Sequence, residues 1–397
     1  MEEVRRDRAI DSTFAMIREG HAFIGSRCRR FGSDLFLARV MGKPVVCLHG
    51  PDAAALFRDG SKLQPLRPRE VDLASVIDAA SIARLVDRTA HEWRRAIRRW
   101  EIERSVVLLS ETRRIFTRAA CAWAGVPLDD AELWDRARDL AHLDDLYGAL
   151  VDRRPWRAAL GRRSAEAWIA PIIACVRRGD PITPKGSLLD TIVHRRDERG
   201  VLLEASAAAD VALDLLGSAI AAADSVSSAA HALALHPYLR VWLEEDSTPG
   251  RRAALFAAEV RRFYPSTPLL SARARTWFTW GGHRFEPGAV VLLDVHGTHH
   301  DPRSWDAPDA FRPERFDDEG GGSIDLLPEH GPEGTIAQRQ LELATHFLVR
   351  CARYHLVAGP DPSGTRVVLR DVHALPALEL DARLAPGASR SVERPDA

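Results

Sequence analysis

"FAAEVRRFYPSTPLLSARARTWFTWGGHRFEPGAVVLLDVHGTHHDPRSWDAPDAFRPERF", residues 256–316, changes character several times within a short length. It opens as the end of a helix, with Glu259 and Arg262 three positions apart on one face; alone, such a pair is commonplace on a solvated helix. "LLSARARTW" then alternates, so Arg273 and Arg275 fall on the same side of a strand. The Gly281-Gly282 dipeptide folds the next segment back as a hairpin, and "AVVLLDV" is a continuous apolar strand. A tail of Pro, Asp, Trp and His residues ends in "PERF", Pro313 to Phe316.

The rest of the 397-residue chain reads mainly helical. "TAHEWRRAIRRWEIERSVVLL" and "AELWDRARDLAHLDDLYGAL" carry apolar residues at spacings of three and four. Further strand signals are few: "VVCLHG" near Val45 and "TRVVLRDV" near the end. No Pro/Gly/Ser-rich linker or block of like charge divides the chain, so the expectation is one mainly α domain with small β-sheets over residues 1–385, followed by a disordered tail over 386–397. The charges sum to −1 and are interspersed, which argues against a nucleic-acid or membrane-surface role resting on bulk charge. The five cysteines are scattered without a C-x-x-C pair, so neither a disulfide framework nor a zinc site is suggested and a reducing cytoplasm fits. The N-terminus lacks the apolar run of a signal peptide, and the long apolar stretch near Ala205–Leu235 is interrupted by Asp210, Asp214 and Asp224. A cytoplasmic protein acting on a small molecule, with no nucleic acid and no membrane, is expected.

The opening stretch resembles the cytochrome P450 family over its whole length. The resemblance rests on the E-x-x-R pair Glu259 and Arg262, on "PERF", and on the run His300, Asp301, Pro302, Trp305, Pro308, Phe311 and Pro313. "SDLFLARVMGK" from Ser33 and "CAWAGVPL" from Cys121 are similar to the fatty-acid peroxygenase branch, so the likeness covers nearly the whole chain. It implies a P450-like fold in which Glu259, Arg262 and Arg315 form a buried structural ion triad.

The same resemblance makes two absences informative. In the family a loop ahead of the last long helix presents a cysteine thiolate to haem iron. Here "IDLLPEHGPEGTIAQRQLELATHFLV", residues 324–349, has no cysteine, and Gly331 stands near the cysteine's place. Cys351 lies twenty residues further, roughly 30 Å along a helix. His330 is the nearer candidate, since a neutral imidazole is an ordinary haem ligand, although an exposed loop histidine is the plainer reading. Residues 57–90 hold no His or Trp for the H-x-x-x-R or W-x-x-x-R pair that binds the haem propionates, and a segment looks deleted around Leu63 to Ala74. Together these losses lead to the expectation that no haem, and no other cofactor or metal, is bound.

Candidate chemistry then falls to the long central helix, "ADVALDLLGSAIAAADSVSSAAHALALHP", residues 209–237. Asp214, Ser218, Ser225 and Ser228 are spaced to form one polar stripe, with Asp224 on a neighbouring face. The expected catalytic groups are Asp214, Asp224 and Ser225; Ser218, Ser228, Leu269, Leu270, Arg273 and Arg275 are expected to hold substrate. His296, His299 and His300 invite a metal reading, but no carboxylate completes a facial triad. The functional expectation is a haem-free enzyme of natural-product biosynthesis that performs a non-oxidative step (cyclisation, isomerisation, dehydration or hydrolysis) on a lipophilic acyl or polyketide-type molecule. Two alternatives stand beside it: a non-catalytic auxiliary or ligand-binding protein, with a partner biosynthetic protein, and a haem peroxygenase or monooxygenase with altered ligation.

Overall fold

Helix α4, Ala79–Glu103, shows how the helical part is built. Its buried residues Ile82, Leu85, Val86, Thr89, Trp93, Ala96, Ile97 and Trp100 recur at three and four and make one apolar stripe. Trp93 packs edge-on against Trp100, about two turns further along, and stacks on Phe347, so this helix is joined to a distant part of the chain. The computed structural model describes residues 5–66, 71–103, 105–141, 143, 155–197, 199–246, 250–317, 331–357 and 368–374. The expected tail 386–397 and the residues 318–330, His330 among them, lie outside these.

Before α4 come α1 (Thr13–Glu19), α2 (Ala22–Phe31) and α3 (Pro51–Arg58). After it follow α5 (Leu108–Ala124), α6 (Leu133–Leu140), α7 (Pro155–Arg177), α8 (Leu188–Val193), α9 (Ala205–Ile220), α10 (Ala223–Leu235), α11 (Tyr238–Glu244), α12 (Arg251–Phe263), α13 (Val295–His299) and α14 (Gly331–His346). Helices α9 and α10 run through the middle, packed against α5, α7 and α14. The stretch Ala205–Leu235 is long and apolar enough to cross a membrane by composition, yet most of its apolar window is buried inside the protein, as in a core helix.

The strands form small sheets beside this helical mass. β1 (Leu35–Val40), β2 (Lys43–Leu48), β3 (Leu63–Pro65), β5 (Leu269–Ala274) and β8 (Val290–Asp294) form a sheet in the order β1-β2-β8-β5-β3. β2 and β8 are parallel and the other neighbours antiparallel. Every residue of β8 is buried, which accounts for its unbroken apolar sequence. The β1–β2 turn places Met41 and Gly42 at positive φ, 51° and 72°, as a two-residue hairpin turn requires. Met41 tolerates this because Thr13 Oγ1 accepts its N–H at 2.6 Å and Asp11 Oδ2 accepts that of Gly42 at 2.7 Å. β6 (Phe278–Trp280) and β7 (His283–Phe285) make the hairpin at Gly281-Gly282, while β4 (Ser105–Val107), β9 (Ala352–Val357) and β10 (Val368–Ala374) form a third sheet.

Helix α12 carries the ion cluster. Glu259 and Arg262 are both fully buried on α12. Arg262 Nε and Nη2 donate to the two Glu259 oxygens at 2.8 Å each, and its Nη1 donates to the carbonyls of His299 and Pro308 at 2.8 and 2.9 Å. Arg315 Nε reaches Glu259 at 3.2 Å, and its Nη1 donates to the Asp306 carbonyl at 2.7 Å. The Arg312 backbone N–H adds another bond to Glu259 at 2.8 Å. The triad therefore ties α12 to the loop after α13 and to the "PERF" turn. Each charge is met by several partners, the condition under which buried ions are tolerated.

Candidate functional site

A cavity of about 1440 Å³ lies between α9 and the open edge of the main sheet. Such a volume exceeds that of most small-ligand pockets, roughly 300–1,000 Å³, so it has room for a large or elongated molecule. Its helical wall carries Leu213, Asp214, Gly217, Ser218 and Ile220; its sheet wall carries Lys43, Leu270, Ser271, Arg273 and Val290. Arg113 of α5, Arg162, Arg163 and Glu166 of α7, and Glu333 in the first turn of α14 reach it from other sides.

The central helix breaks where it crosses this space. α9 ends at Ile220 and α10 starts at Ala223, with Ala221 and Asp224 facing the cavity at the break. Side chains from neighbouring helices serve carbonyls on either side: Gln340 Nε2 donates to Ala219 O at 3.3 Å and Thr112 Oγ1 to Ala223 O at 3.3 Å. Polar side chains reaching into a helical ladder are a recognised cause of such interruptions.

The break decides which members of the expected polar stripe share the site. Asp214 and Ser218, both on α9, line the cavity. Asp214 has a side chain 24% exposed and lies 3.8 Å from Arg162. Ser218 Oγ donates to the Leu215 carbonyl at 2.8 Å, a local bond within its own helix. Ser225 and Ser228 lie beyond the break and are not on the cavity wall, because the interruption ends the 3.6-residue phase that would have aligned them with Asp214. Asp224 does line it, but its side chain is 51% exposed and accepts from Arg113 Nη2 at 2.9 and 3.2 Å. The burial expected of an acid–base carboxylate is therefore missing at Asp224.

On the sheet side, Leu270 and Arg273 line the cavity. Leu269 instead packs with Val45, Val290 and Leu292 in the core beneath α1 and α2. Arg275 follows the last residue of β5; its backbone N–H donates to Lys62 O at 2.8 Å and its side chain is exposed away from the cavity. The residues that sequence reasoning missed are mostly cations and their partners. Arg162, for instance, donates from Nε to Glu166 at 2.9 Å and is also paired with Asp210. In sequence, Arg162 and Glu166 are an ordinary i,i+4 pair, indistinguishable from one on a solvated face.

The expected histidine cluster has a packing role. His296 stacks on His300 with ring centroids 4.4 Å apart and lies 4.3 Å from His21. Burial, reinforced by the neighbouring imidazoles, pushes the His296 pKa down to about 3, so the ring is neutral at ordinary pH.

The sequence model of the family described as Cytochrome P450 matches residues 256–330. Among solved structures, Cytochrome P450SP alpha (CYP152B1) in complex with (R)-ibuprophen is 30% identical, with a TM-score of 0.79 over 92% of this chain and 99% of that one. Ligand-free cytochrome P450 OleT is 24% identical, with a TM-score of 0.81 over 94% of this chain and 99% of that one. Among curated relatives, Cytochrome P450 81F2 of Arabidopsis thaliana is 34% identical over 109 residues, 26% of this chain and 22% of the plant protein. The chain thus spans about a fifth of the length of that plant relative.

These relatives overturn the expectation that the protein has no cofactor. They are cytochromes P450, whose members normally bind haem, and this chain keeps their fold over nearly its whole length. The physical reason for the misreading is that two lost motifs report on one ligand and one clamp, whereas the haem pocket is made by the fold as a whole. The described cavity fits the group in part. It has the volume, and Arg273 offers a cation for a carboxylate, but none of its described lining residues is a cysteine or a histidine. Cys121 and Cys351 are buried in the main core, and Cys28 and Cys47 in the core beneath α1 and α2. The family's sulfur ligand is not matched by these residues.

Proposed function

This chain belongs to the cytochrome P450 superfamily, close to its peroxygenase branch, and we propose that it binds a lipophilic acyl molecule in the family's cavity and carries out a proton-transfer step on it. Cyclisation, isomerisation, dehydration and hydrolysis are the reaction classes that such a step serves. The observation that carries the reading is the pairing, across one large space, of an apolar surface from Leu213, Ile220, Leu270 and Val290 with the carboxylate of Asp214. The apolar wall would bind the substrate's body by excluding water. Asp214, 3.8 Å from the Arg162 guanidinium, is the carboxylate we assign to the proton transfer. Positioned proton transfer of this kind is worth about 10²–10⁴ in rate. The complex of Cytochrome P450SP alpha with (R)-ibuprophen supports a carboxylic acid with an apolar body as the ligand type. A cytoplasmic setting and a partner protein from natural-product biosynthesis belong to the same proposal.

Calorimetry with a series of long-chain fatty acids on the wild type and on Gly217→Trp, which projects an indole from the α9 wall, tests occupancy. Binding to the wild type and its loss in the variant are expected. Product analysis by mass spectrometry, with and without hydrogen peroxide, tests the chemistry. Product without peroxide is the expected result; product only with peroxide, together with a Soret band, would show a peroxygenase instead. Tight binding with no product under either condition would show a ligand-binding protein.

A further inference from the structure

The charges around the cavity are unevenly partnered. On the helical side Arg162 is engaged by Glu166 and Asp210, and Arg113 holds Asp224. On the sheet side stand Lys43 and Arg273, and neither side chain has a hydrogen bond or an ion pair among the described residues. The sheet register sets them on one face. Arg273 is opposite Val290 on β8, Val290 is opposite Val45 on β2, and Lys43 is two residues before Val45. Paired residues share a face, and so do residues two apart on a strand. With strands about 4.8 Å apart and a rise of about 3.3 Å per residue, the two backbone positions are separated by roughly 10 Å across the sheet and roughly 7 Å along it. Two long cationic side chains can close that distance onto one small anion. The position between them is the apolar Val290, which offers no competing acid.

We propose that Lys43 and Arg273 form the anion subsite of the cavity, holding the carboxylate of a lipophilic acid at the sheet side. This rests on the reading of the cavity as an acyl-binding site and names which end of the ligand goes where. With its carboxylate at the sheet, the ligand's tail runs toward α9 and Leu213, so that a carbon remote from the carboxylate faces Asp214. An acid and its methyl ester share the apolar tail and differ in the charge. The subsite therefore predicts a charge preference that belongs to two specific residues.

Calorimetric binding of a long-chain fatty acid and of its methyl ester to the full-length protein separates the terms. The wild type should bind the acid about tenfold or more tightly than the ester, the scale of a charge-assisted contact. The double variant Lys43→Gln/Arg273→Gln should lose that preference while binding the ester as before. Arg163→Gln, which removes another exposed cation from the cavity rim, should keep it. Survival of the preference in the double variant, or its loss in Arg163→Gln, would overturn the subsite and leave the acyl-binding reading intact. Failure of the wild type to bind either compound would overturn both. The acid preference should also shrink with added salt, since both cations are exposed.

Discussion

The ion cluster around Glu259 and the charged rim of the cavity are made of the same two groups, carboxylate and guanidinium, in opposite circumstances. Glu259 and Arg262 have no exposed side-chain surface, and their polar atoms are met by other side chains and by backbone groups. Asp214 and Asp224 are 24% and 51% exposed, and lie beside Arg162 and Arg113. In the first region, removing one member strands another in a medium that does not solvate it. In the second, water can replace a lost partner. The same residue types thus carry the fold in one place and are free to take part in chemistry in the other.

The sharpest break of this contrast is expected at Glu259. Glu259→Ala leaves Arg262 and Arg315 facing each other without their shared carboxylate, and should destabilise the protein by about 3–5 kcal/mol. Denaturant unfolding measures this. A variant that unfolds at the parent's midpoint would show that the cluster is better solvated than its burial indicates.

Asp214→Asn comes next and should separate function from stability. Its melting temperature should stay near the parent's, because a part-exposed side chain is being replaced by one of equal size. Turnover of the acyl substrate should fall by ~10²-fold or more if Asp214 takes the proton. Unchanged turnover would remove Asp214 from the mechanism, and a large drop in melting temperature would place it with Glu259 as a structural group.

The two regions also differed in how far the sequence revealed them. Glu259, Arg262, "PERF" and the strand "AVVLLDV" were legible because each is a local pattern whose spacing is preserved in the fold, and β2, the β6–β7 hairpin and β10 fell where alternation placed them. Strands β1, β3, β4 and β9 were missed: β3 and β4 are only three residues long, and no strand signal was read at β1 or β9. The cavity was harder to read. Its wall draws residues from β2, β5, α5, α7, α9 and α14, and no periodicity connects Lys43 to Arg273 or Arg162 to Asp214. The stripe from Asp214 to Ser228 assumed an unbroken helix, and the break at Ala221-Ala222 depends on Gln340 and Thr112, more than a hundred residues away on either side. The loss of the cysteine was visible in the sequence, but not how much of the haem pocket the rest of the fold would keep.

A smaller effect is expected from acid. His296 stays neutral in the fold because burial pushes its pKa down to about 3, whereas in the unfolded chain it titrates near 6.5. Burial also lowers the pKa of His300 beneath it. As pH falls below about 6.5 the unfolded chain gains protons that the folded one refuses, so stability present above that pH is lost toward pH 3. The stability tied to the lowered carboxyl of Asp301 is present above its ordinary value and is lost only in more acid solution. Comparing unfolding midpoints between neutral and mildly acid pH therefore isolates the histidines. His296→Gln should show a smaller decline than the wild type; an equal decline in both would assign the acid sensitivity elsewhere.

The smallest effect tests the exposed side of the comparison. Arg113 and Asp224 form a two-pronged ion pair at the cavity rim, with Asp224 half open to solvent. Pairs of this kind contribute roughly 0.2–1 kcal/mol, since Coulomb attraction is weak where water screens it and holding both side chains costs entropy. A double-mutant cycle with Arg113→Gln and Asp224→Asn should give a coupling energy in that range, shrinking with added salt. Turnover in Asp224→Asn should stay within a few-fold of the wild type, because the carboxylate is already occupied by Arg113. A coupling of several kcal/mol, insensitive to salt, would mean that the rim closes over this pair in solution and that it belongs with the buried cluster. A loss of turnover like that of Asp214→Asn would instead make Asp224 a second proton-handling group, reached when Arg113 swings away.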